Sequence, residues 1–230
     1  MFIFLCVMRR FRDAFRMDEV RWYLAIIAGA ILLIAVDVYW KQGGSFLYCF
    51  QQSAFQVSSM MTSTGFSSCD FDLWPAFSKA VLFCVMCIGA CGGSTGGGIK
   101  VSRLLIYFKA SYRFIRGLIH PKEIGVVRLD GRKLTTPVIN NAMVFLICYI
   151  GIYIFSLLLL SLDCESFTSN FTAIAATINN TGPGFDQVGP TCNFAFYNPL
   201  SKIVLIFNML AGRLELFPIL ILLLPSTWKK

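Results

Sequence analysis

The chain has 230 residues, of which 57% are hydrophobic and only 14% charged, and its formal net charge is +8. A soluble domain of this size exposes far more charge, so the composition excludes an ordinary water-soluble globular protein and indicates an integral membrane protein. The basic residues flank apolar segments and form no basic domain of their own, which argues against nucleic-acid binding.

Met1 to Val7 is too short to cross a bilayer, and no small-residue cleavage site follows it. It reads as the tail of an upstream helix rather than a signal peptide. Trp22 to Trp40 is the first predicted span, bracketed by tryptophans that favour the membrane interface. Asp37 near its outer end reads as an interfacial helix-end residue. Ser45 to Met61 contains Gln51, Gln52, Gln56, Ser58 and Ser59, too polar to face lipid, and is predicted to be a re-entrant helix enclosed by protein or water. Pro75 to Ala90 is the next predicted span, about 24 Å of helix and short of a roughly 30 Å hydrocarbon core. It is interrupted by the glycine run Cys91 to Gly98. Val101 to Gly117 is basic and amphipathic, suited to anionic lipid or to a cytosolic partner.

The connection from Ile119 to Thr136 breaks the pattern. Pro121 ends the preceding helix, and Val126 to Arg132 reads as a small hairpin turning at Asp130-Gly131. Val138 to Leu162 is a second long span, Thr168 to Ile178 a shorter re-entrant helix, and Ile203 to Leu224 a final apolar run holding Arg213 and Glu215. Charges at that depth face a cavity or each other. Two readings of the pair stand: an ion pair between helices, or a charge facing a cavity within the bundle.

Two stretches share one plan. Ser45-Phe46, Phe50, Thr64-Gly65, Ser78-Lys79, Val81-Leu82 and Gly89 recur in order as Ser166-Phe167, Phe171, Thr181-Gly182, Ser201-Lys202, Val204-Leu205 and Gly212. Internal symmetry with a polar glycine segment at matched places points to a site where the repeats meet. The expected fold is therefore an all-α membrane protein of two span–pore-helix–span repeats, residues 1–120 and 137–230, joined by a cytoplasmic connection at 121–136. Basic residues before the first span and through the connection place those segments in the cytoplasm. Asp70, Asp72, Asp163, Glu165 and Asp186 gather on the opposite, outer side.

Met61 to Phe66 and Ile178 to Gly184 are the candidate filter segments. A monovalent cation that sheds water needs a replacement shell of oxygens, which backbone carbonyls and uncharged hydroxyls supply while glycine permits the dihedrals that aim them. A half-helix entering from outside would also point its carbonyl end, partly negative, at the bilayer centre. The glycine run does not fit a Walker loop, because Ile99 separates the final glycine from Lys100 and Val101 follows. Cys84, Cys87 and Cys91 lie in an apolar span without His or carboxylate and read as packing residues. Cys69, Cys164 and Cys192 on the outer side leave disulfide pairing open. The single histidine, His120, joins no nucleophile or carboxylate set, so catalysis is not expected.

Thr64-Gly65-Phe66, the run Gly92 to Lys100, Asn179-Asn180 with Gly182-Pro183-Gly184, and Gly212 to Glu215 closely resemble motifs of the Trk/Ktr potassium-transport membrane subunit. That family has four span–pore-helix–span repeats around one potassium filter, and this chain matches the third and fourth. Either it is the C-terminal half of a longer protein, or two chains combine to complete the ring. The resemblance implies that Thr62, Ser63, Thr64 and Gly65 line one filter quarter and Asn179, Asn180, Thr181 and Gly182 another, with potassium held at Ser63, Thr64, Asn180 and Thr181. It implies a gate made of Cys91, Gly92, Gly93, Ser94, Thr95, Gly96, Gly97 and Gly98, assisted by Lys100 and Arg213. It further implies a homodimer in the inner cell membrane, in contact with lipid, on a cytosolic ring of regulatory subunits that carry the nucleotide sites.

Overall fold

The computed structural model describes residues 15–120, 126–163, 165–214 and 216–223. Among these the regular structure is helical apart from one short hairpin. In order it forms α1 (Asp18–Gln42), α2 (Phe46–Met61), α3 (Ala76–Ile88), α4 (Val101–Ile119), β1 (Arg128–Leu129), β2 (Arg132–Lys133), α5 (Thr136–Leu160), α6 (Phe167–Ile178), α7 (Pro199–Arg213) and α8 (Leu216–Leu223).

Helices α1 and α5 are each 25 residues, about 37 Å at the usual rise and long enough to cross a bilayer. Both are apolar enough to do so. Pro137 lies in the first turn of α5 and Pro199 starts α7, positions where the missing N–H is harmless. Helix α3 stops at Ile88, two residues before the expected end, because Gly89 turns to φ 69°. Helix α4 runs two residues past the expected Gly117. The hairpin forms as expected, with Arg128 opposite Lys133 and Leu129 opposite Arg132. Asp130 and Gly131 both have positive φ, the requirement of a tight primed turn.

The short helix α6 lies inside the bundle, and α2 buries its C-terminal half while Phe46, Leu47 and Tyr48 stay exposed. Ala173, Ile174, Ala175 and Ala176 are fully buried, and Phe171 stacks on Phe83 of α3 with ring centroids 5.2 Å apart. The polar residues of α2 serve the segment that climbs away from it. Ser59 Oγ donates to Phe66 O at 2.6 Å, and the fully buried Gln56 donates through Nε2 to Cys69 O at 3.3 Å. Ser68 Oγ donates to Gln52 Oε1. Satisfied polar groups of this kind are what permits a polar helix in an apolar bundle.

Four aspartates of the segments expected on the outer side have structural partners. Asp37 accepts from Ser78 N–H at 3.2 Å and Ser78 Oγ at 2.7 Å, so α1 caps the first turn of α3; it also pairs with Lys41 at 3.0 Å. Asp163 does the same for α7, accepting from Asn198 N–H at 3.2 Å and Nδ2 at 2.9 Å. Asp72 accepts from Asp186 N–H at 3.1 Å, joining the two outer loops. Cys69 and Cys192 are free thiols, and Cys164 lies outside the described residues, as do Pro121 and Glu215.

The hydroxyls of Ser166 and Ser169 donate to Asp186 and hold its carboxyl below the usual carboxylate range. A depressed carboxylate pKa contributes stability that is complete above the ordinary value of 3.8 and is lost as pH falls through the lower folded value. Thermal unfolding of detergent-solubilised protein should therefore steepen in its acid decline below that pH, and Asp186→Asn should flatten the decline. An identical acid profile in the variant would remove Asp186 from this role.

Candidate functional site: twin turns above a glycine loop

Helices α2 and α6 end alike. Thr62 N–H donates to Ser58 O at 3.0 Å, Ser63 N–H to Met60 O at 3.2 Å and Thr64 N–H to Ser59 O at 2.9 Å. Asn179 N–H donates to Ala175 O at 3.1 Å, Asn180 N–H to Thr177 O at 3.1 Å and Thr181 N–H to Ala176 O at 3.0 Å. Each is a Schellman ending, whose nested bonds close around one left-handed residue. Those residues are Ser63 (φ 55°) and Asn180 (φ 54°), and two positions on Gly65 and Gly182 also turn positive, at 78° and 101°. Asparagine tolerates this conformation better than most residues, which is a backbone reason for Asn180 where the first segment has Ser63. The Asn180 side chain also fixes its turn to α7, donating to Met209 O at 3.2 Å.

The two turns touch. A methyl group at Gly65 would fall 2.0 Å from the carbonyl oxygen of Thr181 and 3.3 Å from Pro183 Cδ, so only glycine fits there. Gly182 holds the matching place in the second turn, and nothing lies within 4 Å of where its Cβ would stand. Thr62 and Thr64 share a hydrogen bond of 2.6 Å through their hydroxyls.

Residues 89–100 leave the helical path beneath the turns and return to it. Ile99 N–H donates to Cys87 O at 3.2 Å, Lys100 N–H to Ile88 O at 2.8 Å and Val101 N–H to Ala90 O at 3.1 Å. The returning strand thus satisfies carbonyls that the end of α3 would leave orphaned. A methyl group at Gly97 would lie 2.5 Å from Asn179 O, and one at Gly96 would lie 3.2 Å from Ser63 Oγ. The loop therefore packs directly under both turns. Ser94 N–H closes a turn on Cys91 O at 3.1 Å, with Gly93 at φ 88°. From across the bundle Arg213 Nη1 donates to Thr95 O at 2.8 Å. Gly212 lets α7 approach the end of α6, since a methyl group there would fall 2.0 Å from Ile178 O.

Lys100 is buried with φ 71°, and borders a small space shared with Arg103, Tyr149, Ile178 and Gly212. Arg103 lies over the Phe145 ring, 4.0 Å from its centroid. Two contributors escape sequence reasoning. Tyr149 donates its hydroxyl to Asn179 Oδ1 at 3.0 Å from inside an apolar span, where it reads as packing. Glu19 accepts from Gly92 N–H, yet in the sequence it lies ahead of the predicted span at Trp22 and belongs to no motif. Among the described residues no three His, Cys, Asp or Glu side chains gather in a way that could hold a metal ion.

Long apolar helices packed with short ones, and backbone turns in contact above a glycine loop, define a helical fold of the membrane-protein type. Residues 40–230 match the model of the TrkH family, described as cation transport protein, and the chain belongs to that family. It is 36% identical over 224 residues to the Trk system potassium uptake protein TrkH of Salmonella typhimurium, covering 96% of this chain and 46% of that protein. The Escherichia coli K12 protein of the same name is 35% identical over the same shares. The crystal structure of the potassium transporter TrkH from Vibrio parahaemolyticus superposes with a TM-score of 0.86 at 34% identity, over 94% of this chain and 46% of that one. The chain thus spans about half the length of the curated relatives it matches.

Close backbone contact makes these glycines irreplaceable in a testable way. Gly65→Ala and Gly212→Ala should each lower the melting temperature by several degrees, in the range of about 1–3 kcal/mol for overpacking. Gly151→Ala, with open space around it and a helical backbone, should leave it unchanged or raise it. Equal melting temperatures for all three variants would mean the turns are not in contact.

Proposed function

We propose that the chain supplies two quarters of a carbonyl-lined filter for potassium uptake across the cell's inner membrane, gated from below by the glycine loop. The observation that carries this reading is the pair of matched Schellman turns in contact at Gly65 and Thr181. Positive φ at Ser63 and Gly65 and at Asn180 and Gly182 is the kind of backbone by which glycine-bearing turns aim carbonyls at a dehydrated monovalent cation. The α2 and α6 carbonyl ends add partial negative charge at the same place. Thr62, Ser63 and Thr64 with Asn179, Asn180 and Thr181 would present neutral oxygens to potassium, the transported substrate. Among the described residues the buried Ser63 hydroxyl beside Gly96 has no hydrogen-bond partner, a polar group left for an ion or its water.

Open space at Gly182, where Gly65 has a neighbour, supports two further repeats completing the ring. They would come from an upstream segment or from a second chain. Cys91 to Gly98 lie where an ion leaving the turns must pass, and Arg213 holds that loop while adding positive charge beneath the filter. The printed names of the relatives support potassium as the ion. Homodimerisation, lipid contact along α4 and a cytosolic nucleotide-binding regulatory ring belong to the same reading.

Gly65→Asp or Gly182→Asp should abolish rubidium or potassium uptake while the protein still reaches the membrane; normal uptake by either would remove the filter assignment. Deleting Gly96 to Gly98 should raise leak conductance, and an unchanged open probability would count against the gate. Liposomes holding this chain alone separate a dimeric pore, which conducts, from a half that needs its upstream repeats, which stays silent.

A further inference from the structure

We propose that Glu19 is a latch that holds the glycine loop shut, and that the cytoplasmic hairpin sets its position. The inference rests on the gating role given to the loop above, and it adds the restraint and the route that act on it.

The loop is held at three places. Its returning limb is strapped to the end of α3, and its middle is held by Arg213 at Thr95 O, 2.8 Å away. The limb that leaves α3 is held by Glu19, whose Oε1 accepts from Gly92 N–H. This contact is the one of the three that links the loop to the first turn of α1. Space there is tight: a methyl group at Gly92 would lie 2.6 Å from Ser102 Oγ and 3.2 Å from Glu19 Oε1. A carboxylate accepting a backbone N–H makes a charge-assisted bond, stronger than one between neutral groups.

Glu19 is itself placed from the cytoplasmic side. Its neighbour Asp18 starts α1, and the otherwise orphaned Asp18 N–H donates to Asp130 Oδ1 of the hairpin turn at 2.7 Å. The Asp18 carboxylate pairs with Lys109 of α4 at 2.7 Å, and Lys109 also donates to Arg128 O of β1 at 3.0 Å. Hairpin, α4 and the foot of α1 therefore form one frame, with Glu19 extending from it to the loop. Hydrogen-bonded backbone and short side chains make up the whole path from Asp130 to Gly92. A load on the hairpin or on α4 moves Asp18, and Glu19 then releases or tightens on Gly92.

The test is basal rubidium flux through the intact transporter in proteoliposomes, without any activating partner. Glu19→Ala should raise it about tenfold, with the potassium-to-sodium permeability ratio and the amount of folded protein unchanged. Glu19→Gln keeps an acceptor oxygen without charge and should fall between; it also serves if the alanine variant does not fold. Asp130→Gly keeps the left-handed turn but loses the acceptor, and should raise flux less than Glu19→Ala. Because both act on one contact, the double variant should conduct no more than Glu19→Ala alone. If deletion of Gly96 to Gly98 raises flux while both Glu19 variants leave it at the basal level, the latch is wrong and the gate stands. If none of these changes raises flux, the gate is wrong as well. Additive effects of Asp130→Gly and Glu19→Ala, or a changed permeability ratio in Glu19→Ala, would overturn the route through Asp18.

Discussion

Close approach of backbone to backbone is the constraint on which the rest depends. Three contacts, Gly65 with Thr181, Gly97 with Asn179 and Gly212 with Ile178, bring carbonyl oxygens to distances at which no side chain fits. Each carbonyl is the last polar group of a helix end or a tight turn, so its direction is fixed by hydrogen bonds rather than by side-chain packing. The long helices and the apolar core surround this polar centre and keep lipid from it. The polar faces of α2 and α6 follow from the same need, since every buried donor there must find an acceptor.

The loop is an excursion of the chain from an otherwise continuous helical path. The helix ends at Ile88 and restarts at Val101, with the two ends stitched by three backbone bonds. A segment closed in this way moves without unwinding the helices on either side, and its glycines give little resistance to new dihedrals. In the second repeat α7 ends at Arg213 and α8 begins at Leu216, and Arg213 reaches back to the loop at Thr95 O.

The acidic and the basic residues serve different ends. Asp37, Asp163, Asp72 and Asp186 each accept backbone or side-chain donors, so these acids fasten helix ends and loops. They would also draw cations toward the turns, a long-range effect compatible with their local bonds. The cations divide: Lys109 ties the frame at the foot of α1, Arg213 meets the loop, and Lys100 and Arg103 line the space behind it.

The sequence by itself determined the membrane class, the two long helices, the short polar helices and the twin glycine segments. Each of these rests on local composition, period or repeat, which neighbouring residues along the chain carry in full. It also marked Arg213 as unusual, because a charge in an apolar run is costly wherever it lands. Only the tertiary structure decided what Arg213 binds, why Gly89 ends its helix early and why Asp37 is more than an interfacial residue. Tertiary structure alone brought Glu19 to Gly92 and Tyr149 to Asn179. Those partners lie 73 and 30 residues apart in the chain, and no local pattern records a hydrogen bond made by folding two distant helices together.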